Sequence, residues 1–149
     1  ELESYQEKIA EIVKQLVESK NTATSLKSDL TKEDKKKYKE EIKSSTEIIK
    51  KIDDLIALYL GKIDKRQGIT RNPEVTVNQR FGQARGYIYS RFGEQTATET
   101  QLMNQFKDEF KSAVSKTNSF FNTDWITFKT KMQTIEISPF KETKIFSAN

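Results

Sequence analysis

The chain has 149 residues, of which 34% are hydrophobic and 32% are charged, and its mean hydropathy is −0.77. Five Gly and two Pro are too few for the many turns of a β-sandwich, and the absence of Cys and His removes disulfides, thiolate metal sites and the commonest general base. The net charge of +4, from 26 basic and 22 acidic residues, is too small to indicate nucleic-acid binding. We therefore expect one helical domain over residues 1–149.

The first predicted helix covers 2–29. Its apolar residues recur at alternating steps of three and four, the pattern of a helix that buries one seam. The seam residues are Leu2, Tyr5, Ile9, Ile12, Leu16, Ser19, Ala23, Leu26 and Leu30. Thr31 and Asp34 have the spacing of a capping box, which predicts a tight reversal there and a second helix over 32–61.

The second helix repeats the same spacing and ends at a glycine. Its seam residues are Tyr38, Ile42, Ser45, Ile49, Ile52, Ile56, Tyr59 and Ile63. Further apolar residues widen the buried face, namely Ile48, Leu55, Leu58 and Leu60. A face this wide predicts contact with more than one partner, and Gly61 is the predicted end of the helix. The first two helices are expected to pack as an antiparallel hairpin.

The longest connection follows, because Gly68, Asn72 and Pro73 interrupt the periodicity. A short third helix is predicted over 75–91, with either Asn72 or Thr76 as its N-cap. Thr76 with Gln79 has the capping-box spacing.

The third helix has one apolar face and two glycines away from it. The buried side is predicted to hold Val77, Phe81, Ala84 and Ile88. Gly82 and Gly86 each cost about 1 kcal/mol in a helix interior, which predicts the close approach of a neighbouring backbone. Gly93 is the predicted end of this helix.

The fourth helix is predicted over 97–135, opened by a capping box from Thr96 to Glu99. Its broad apolar stripe makes it the main contributor to the core. The stripe residues are Leu102, Met103, Phe106, Phe110, Ala113, Val114, Thr117, Phe120, Phe121, Trp125, Phe128, Met132 and Ile135. Ser138 and Pro139 end the helix, and the tail is expected to fold back through Phe140, Ile145 and Phe146.

These elements predict an all-α, antiparallel up-and-down four-helix bundle with a long hairpin, a short third helix, a long aromatic fourth helix and an extended C-terminal tail. A three-helix bundle with an ordered loop is the alternative. No apolar run approaches the roughly 20 residues that cross a bilayer. Because Glu1 enters a helical pattern at once, we interpret the chain as a fragment of a longer protein.

The sequence offers no catalytic constellation, cofactor site or metal site. Adjacent carboxylates such as Asp53 and Asp54 point about 100° apart on a helix, so they do not converge on a substrate. Glu7 and Glu11 are one turn apart, and we interpret them as solvated rather than metal-binding. The one candidate interaction surface interleaves basic and aromatic residues on the third helix. It consists of Arg80, Arg85, Tyr87, Tyr89 and Arg91.

The second half of the chain resembles a known module. The most specific stretches are 64–69, 73–77, 84–91 and 138–141, joined by 96–99. They resemble the helical region that closes large secreted bacterial proteins whose main body is a β-propeller of BNR, or Asp-box, repeats. These sortilin-like proteins are often labelled glycosyl hydrolases. The first hairpin carries only the heptad pattern.

The resemblance implies a periplasmic or secreted parent protein, with any glycan hydrolysis located in the propeller. It supplies no catalytic residue for this chain. We therefore predict a non-catalytic structural or interaction module that packs on its own propeller, on another protein or on a second copy. The alternatives are a surface module that binds an anionic polymer or a protein through the arginine- and tyrosine-rich helix, and a ligand-binding protein with a cavity among its phenylalanines.

Overall fold

The computed structural model describes residues 1–62, 75–90, 92–94 and 96–136. These residues form five helices: α1 (Leu2–Asp34), α2 (Lys39–Leu60), α3 (Val77–Tyr89), α4 (Ala97–Asn122) and α5 (Asp124–Gln133). No strand occurs within this described part of the chain. The prediction of an all-α helical bundle is confirmed.

Helices α1 and α2 form the predicted hairpin. No seam residue of α1 is exposed, and Leu16, Ala23 and Leu30 have no accessible surface. The Lys20 ammonium lies 2.7 Å from the Asp53 carboxylate across the hairpin, which is consistent with antiparallel packing. Of the residues expected to widen the apolar face of α2, only Leu60 is exposed, because it lies in the last turn of the helix.

The reversal between α1 and α2 lies later than predicted. Thr31 is inside α1, where its hydroxyl donates to the Lys27 carbonyl at 2.7 Å, so it does not cap α2. Asp34 instead accepts the backbone N–H groups of Lys36 and Lys37, each at 3.0 Å, and holds the turn. Helix α2 then begins after Tyr38 without a side-chain cap. The predicted start of the second helix was wrong because the Thr31 hydroxyl bonds a carbonyl of α1 instead of capping α2.

Helix α2 runs antiparallel to the arm formed by α4 and α5. The Tyr59 hydroxyl contacts the Thr117 hydroxyl at 2.8 Å. Farther along, Lys51 lies 3.4 Å from Asp124. At the other end of α2, Lys131 donates to the Ser44 hydroxyl at 2.8 Å.

Helix α3 lies along the first half of α4. The rings of Phe81 and Phe106 are 5.4 Å apart, and Arg80 donates to Gln105 at 3.1 Å. Phe106 precedes Thr117 by about 16 Å along α4, at about 1.5 Å per residue. Helix α3 therefore lies beyond the end of α2 and continues its direction. The described helices form three rods, namely α1, α2 followed by α3, and α4 followed by α5. The chain order is that of the four predicted helices, with the fourth divided into α4 and α5, but the bundle has three rods in cross-section.

Aromatic residues fill the core in two clusters. Near the start of α4, Phe106 is fully buried, with its ring centroid 5.1 Å from that of Tyr5 and 5.9 Å from that of Phe110. Near the junction of α4 and α5 a second cluster consists of Phe120, Phe121, Trp125 and Phe128. These contacts confirm the predicted stripe, none of whose residues is exposed.

Two capping boxes and one glycine end were predicted correctly. Thr76 pairs with Gln79 and Thr96 with Glu99, each through reciprocal side-chain and backbone hydrogen bonds. Gly61 ends α2 with a φ of +85°. The predicted roles of Ile63, Gly68, Asn72, Pro73, Ser138, Pro139, Phe140, Ile145 and Phe146 fall outside the described residues.

Two other predicted boundaries are wrong. Helix α3 ends at Tyr89, before Gly93, whose φ of +140° places it in the following turn. The predicted helix over 97–135 is interrupted at Thr123, where φ is −123° and ψ is −75°. The Thr123 hydroxyl donates to the Ser119 carbonyl at 2.7 Å, in competition with the backbone N–H, and such bonding bends helices.

Candidate interaction surface

The predicted arginines of α3 do not converge. Arg80 is half-buried and donates from Nη1 to the Oε1 atoms of Gln105 and Gln83, at 3.1 and 3.4 Å. Arg85 is exposed, and its guanidinium lies 5.6 Å from the centre of the Tyr89 ring. Five residues along a helix correspond to about 140° of rotation, so the two side chains leave α3 on different flanks. Arg91 lies outside the described residues.

The aromatic residues at the end of α3 are exposed. Tyr87 is 51% exposed, Tyr89 is 66% exposed and Phe92 is fully exposed. Every other aromatic side chain in the described residues is buried or half-buried. We call these three residues, which lie at one end of the bundle, the aromatic patch; Tyr87 and Tyr89 leave α3 on opposite flanks, since two residues along a helix correspond to about 200° of rotation. The sequence indicated Tyr87 and Tyr89 but not Phe92, because a Phe next to a turn gives no periodic signal of its exposure.

The two glycines of α3 face solvent. A Cβ added to Gly82 or Gly86 would meet no atom within 4 Å, so the predicted close approach of a neighbouring backbone is wrong. Both lie within a helix at an energetic cost relative to Ala that the packing of α3 does not explain. Arg85, which is exposed, lies next to Gly86, and α3 contains no acidic residue.

A groove of about 470 Å³ lies beside the patch, between the start of α1, the end of α3 and the start of α4. We call it the end groove. Tyr89 lines it and so joins it to the aromatic patch. The remaining lining combines apolar and acidic side chains, chiefly Leu2, Ile88, Met103, Glu1, Glu3 and Glu99.

Other apolar surface occurs elsewhere. Val17, Leu60 and Val75 are exposed, and Val17 and Leu60 line one groove together with Asn78 of α3. A groove of about 570 Å³ lies between α2, α4 and the start of α5, and among the described residues Phe120 is the only phenylalanine that lines it. It is therefore not the cavity among phenylalanines that the sequence left as one alternative.

The described residues offer little acid–base chemistry. Burial raises the pKa of the Tyr59 phenol, which is enclosed in the core away from solvent. The Lys107 ammonium, 2.8 Å from the Glu1 carboxylate, lowers the pKa of that carboxyl group. Within the described ranges, no group of three or more acidic residues is arranged to hold a metal ion.

Comparison with protein-family models, with curated protein sequences and with solved structures finds no match to the chain. The relation to BNR-repeat proteins therefore remains a prediction from the sequence. No helix among the described residues has both the length and the apolar composition needed to span a bilayer.

Proposed function

We propose that the chain is a non-catalytic interaction module that binds a protein partner through the aromatic patch and serves as the C-terminal module of a secreted BNR-repeat protein. The observation that carries the proposal is the exposure of Tyr87, Tyr89 and Phe92 at one end of the bundle. Exposed Tyr and Phe side chains supply large contact areas, and interfaces are enriched in them.

The position of the patch favours a partner within the parent protein. Glu1, Leu2 and Glu3 line the same groove as Tyr89. A propeller joined before Glu1, as the resemblance implies, would emerge next to the patch. Its tethering would give it a high effective concentration there, so a modest contact area would be enough for docking.

The alternative of an anionic-polymer surface has less support. Arg80 is already held by two glutamine side chains, and Arg85 leaves α3 on another flank. A polyanion site requires several cationic groups that track one chain. If that alternative holds, binding to a polyanion such as heparin will fall steeply with salt and will depend on both arginines.

The proposal is tested with the protein segment encoded immediately upstream of Glu1. We expect this segment, produced separately, to bind the chain in calorimetry, and we expect the triple variant Y87A/Y89A/F92A to bind it at least about tenfold more weakly. The control is Ile126→Ala on α5, because Ile126 is 52% exposed but lies at the other end of the bundle. Thermal denaturation of each variant checks its fold.

Two results would contradict the proposal. The first is equal affinity of the triple variant and the unmodified chain for the upstream segment. The second is turnover of any substrate in a broad glycan panel by the isolated chain, which would reject the non-catalytic assignment.

A further inference from the structure

The end groove combines an apolar lining with three carboxylates. Leu2 and Ile88 are half-buried, and Met103 is 8% exposed, so their aliphatic surfaces form part of the wall rather than projecting into solvent. The walls come from α1, α3 and α4, which are held together at this end by the cluster around Phe106. The groove is therefore built on packed helices.

The three carboxylates of the groove differ in ion pairing and in exposure to solvent. Glu1 is paired with Lys107 at 2.8 Å. Glu3 is exposed and forms no ion pair with another described residue. Glu99 is only 5% exposed, although it carries a carboxyl group.

Within the described residues, one of the two Glu99 carboxylate oxygens accepts a hydrogen bond. Its Oε2 atom accepts the backbone N–H of Thr96 at 2.8 Å, as the capping box requires. Among the described residues no donor is bonded to its Oε1 atom. A carboxylate can accept several hydrogen bonds, and a buried one gains most from a cationic donor.

The charged side chains that line the groove, among the described residues, are carboxylates. Lys107 offsets Glu1, and the Arg85 guanidinium lies 5.6 Å from the centre of the Tyr89 ring. Glu3 and Glu99 have no such counterpart among the described side chains. Among the described residues that line the groove, the charged side chains are therefore all acidic.

We infer that the end groove receives a basic side chain of the protein partner, an Arg or Lys next to an apolar residue. The alkyl stem of that side chain lies against Leu2, Ile88 and Met103, and its cationic head reaches Glu3 and Glu99. The neighbouring apolar residue packs on Tyr89. This inference rests on the proposed function and specifies the chemistry of the partner.

The probe is a short synthetic peptide in which Arg and Leu alternate, compared with a matched peptide in which Glu replaces Arg. We expect fluorescence anisotropy to show binding of the basic peptide only, and weaker binding at about 300 mM than at about 50 mM salt. Glu3→Gln and Glu99→Gln should each lower the affinity about three- to tenfold. Gln at position 99 can keep the cap, since Gln79 performs that role in α3.

The controls are Glu33→Gln and Glu40→Gln, which remove exposed carboxylates near the opposite end of the hairpin. They should leave the affinity unchanged. Equal binding of the two peptides, no binding of the basic peptide at millimolar concentration, or no effect of the Glu3 and Glu99 substitutions would overturn the inference. The proposed function would still stand if the aromatic-patch variants weakened binding of the upstream segment, and it would fall if they did not.

Discussion

The hairpin half of the molecule and the α3 end use their apolar residues differently. In the hairpin, Leu16, Ala23, Leu30 and Ile52 have no accessible surface. At the α3 end, Phe81 and Phe106 are buried, but Tyr87, Tyr89 and Phe92 project from the same region into solvent. The hairpin thus buries most of its apolar side chains between its helices, with Val17 and Leu60 as exposed exceptions, whereas the α3 end leaves large aromatic side chains available to a partner.

The largest expected effect is the difference in stability lost when Ala replaces a buried phenylalanine of the core and when it replaces the exposed Phe92 of the aromatic patch. Phe106→Ala should lower the free energy of unfolding by about 3–5 kcal/mol, because it opens a cavity among Tyr5, Phe81 and Phe110. Phe92→Ala should change it by less than about 0.5 kcal/mol, because Phe92 is fully exposed. Urea denaturation measures both. A loss of several kcal/mol at Phe92 would show that it packs within the fold.

The next effect concerns the hydrogen bond that joins α2 to α4 inside the core. Thr117 donates its only hydroxyl proton to the Ala113 carbonyl at 2.9 Å, so the Tyr59 hydroxyl must be the donor to Thr117. Thr117→Val leaves that donor buried without an acceptor and should cost about 1–3 kcal/mol. Tyr59→Phe leaves Thr117 bonded to Ala113 and should cost less. The reverse order in denaturant melts would contradict this hydrogen-bond direction.

Alkaline pH should weaken the same contact. Burial raises the pKa of Tyr59 above its ordinary value of 10.0. The unfolded chain therefore loses the phenol proton first, and the stabilisation that is fully present below pH 10.0 is lost as pH rises through the folded-state pKa. The slope from this group is at most about 1.4 kcal/mol per pH unit. Denaturant melts from neutral to alkaline pH should show a steeper decline for the unmodified chain than for Tyr59→Phe, and parallel curves would contradict the assignment.

The smallest expected effect is a gain in stability. Gly82→Ala and Gly86→Ala should each raise the free energy of unfolding by about 0.5–1 kcal/mol, because both positions are helical and an added Cβ meets open space. Thermal denaturation measures the gain. If the solvent face of α3 also contacts the partner, the more stable double variant should bind the upstream segment more weakly. A loss of stability would show that the glycines have a packing role.

The sequence predicted local structure correctly where two side chains bond the backbone N–H groups of their own helix turn. Thr76 with Gln79 and Thr96 with Glu99 form the expected capping boxes, since each pair needs only its own helix turn. The predicted start of the second helix near Thr31 and the predicted continuity of the helix through Thr123 were wrong for the same reason. A threonine hydroxyl can bond the carbonyl one turn earlier, which keeps Thr31 inside α1 and accompanies the break at Thr123.

The candidate surface was predicted only in part. The interleaved Arg and Tyr residues predicted an interaction surface on α3, but the rotation along the helix places Arg80 and Arg85 on different flanks. Phe92 lies after the end of α3 at Tyr89 and is fully exposed, so the helical periodicity of α3 does not apply to it. The end groove was not predicted, since it brings together residues from the starts of α1 and α4 with the end of α3.

The sequence by itself determined that the chain is helical and which stripe of each helix is buried, because the three- and four-residue spacing of apolar side chains is a property of each segment alone. Only the tertiary structure decided that α3 continues the direction of α2 and that Tyr87, Tyr89 and Phe92 remain outside the core. Those features depend on which helices lie side by side and how far each extends past its neighbour, and the packing of all the segments together sets both.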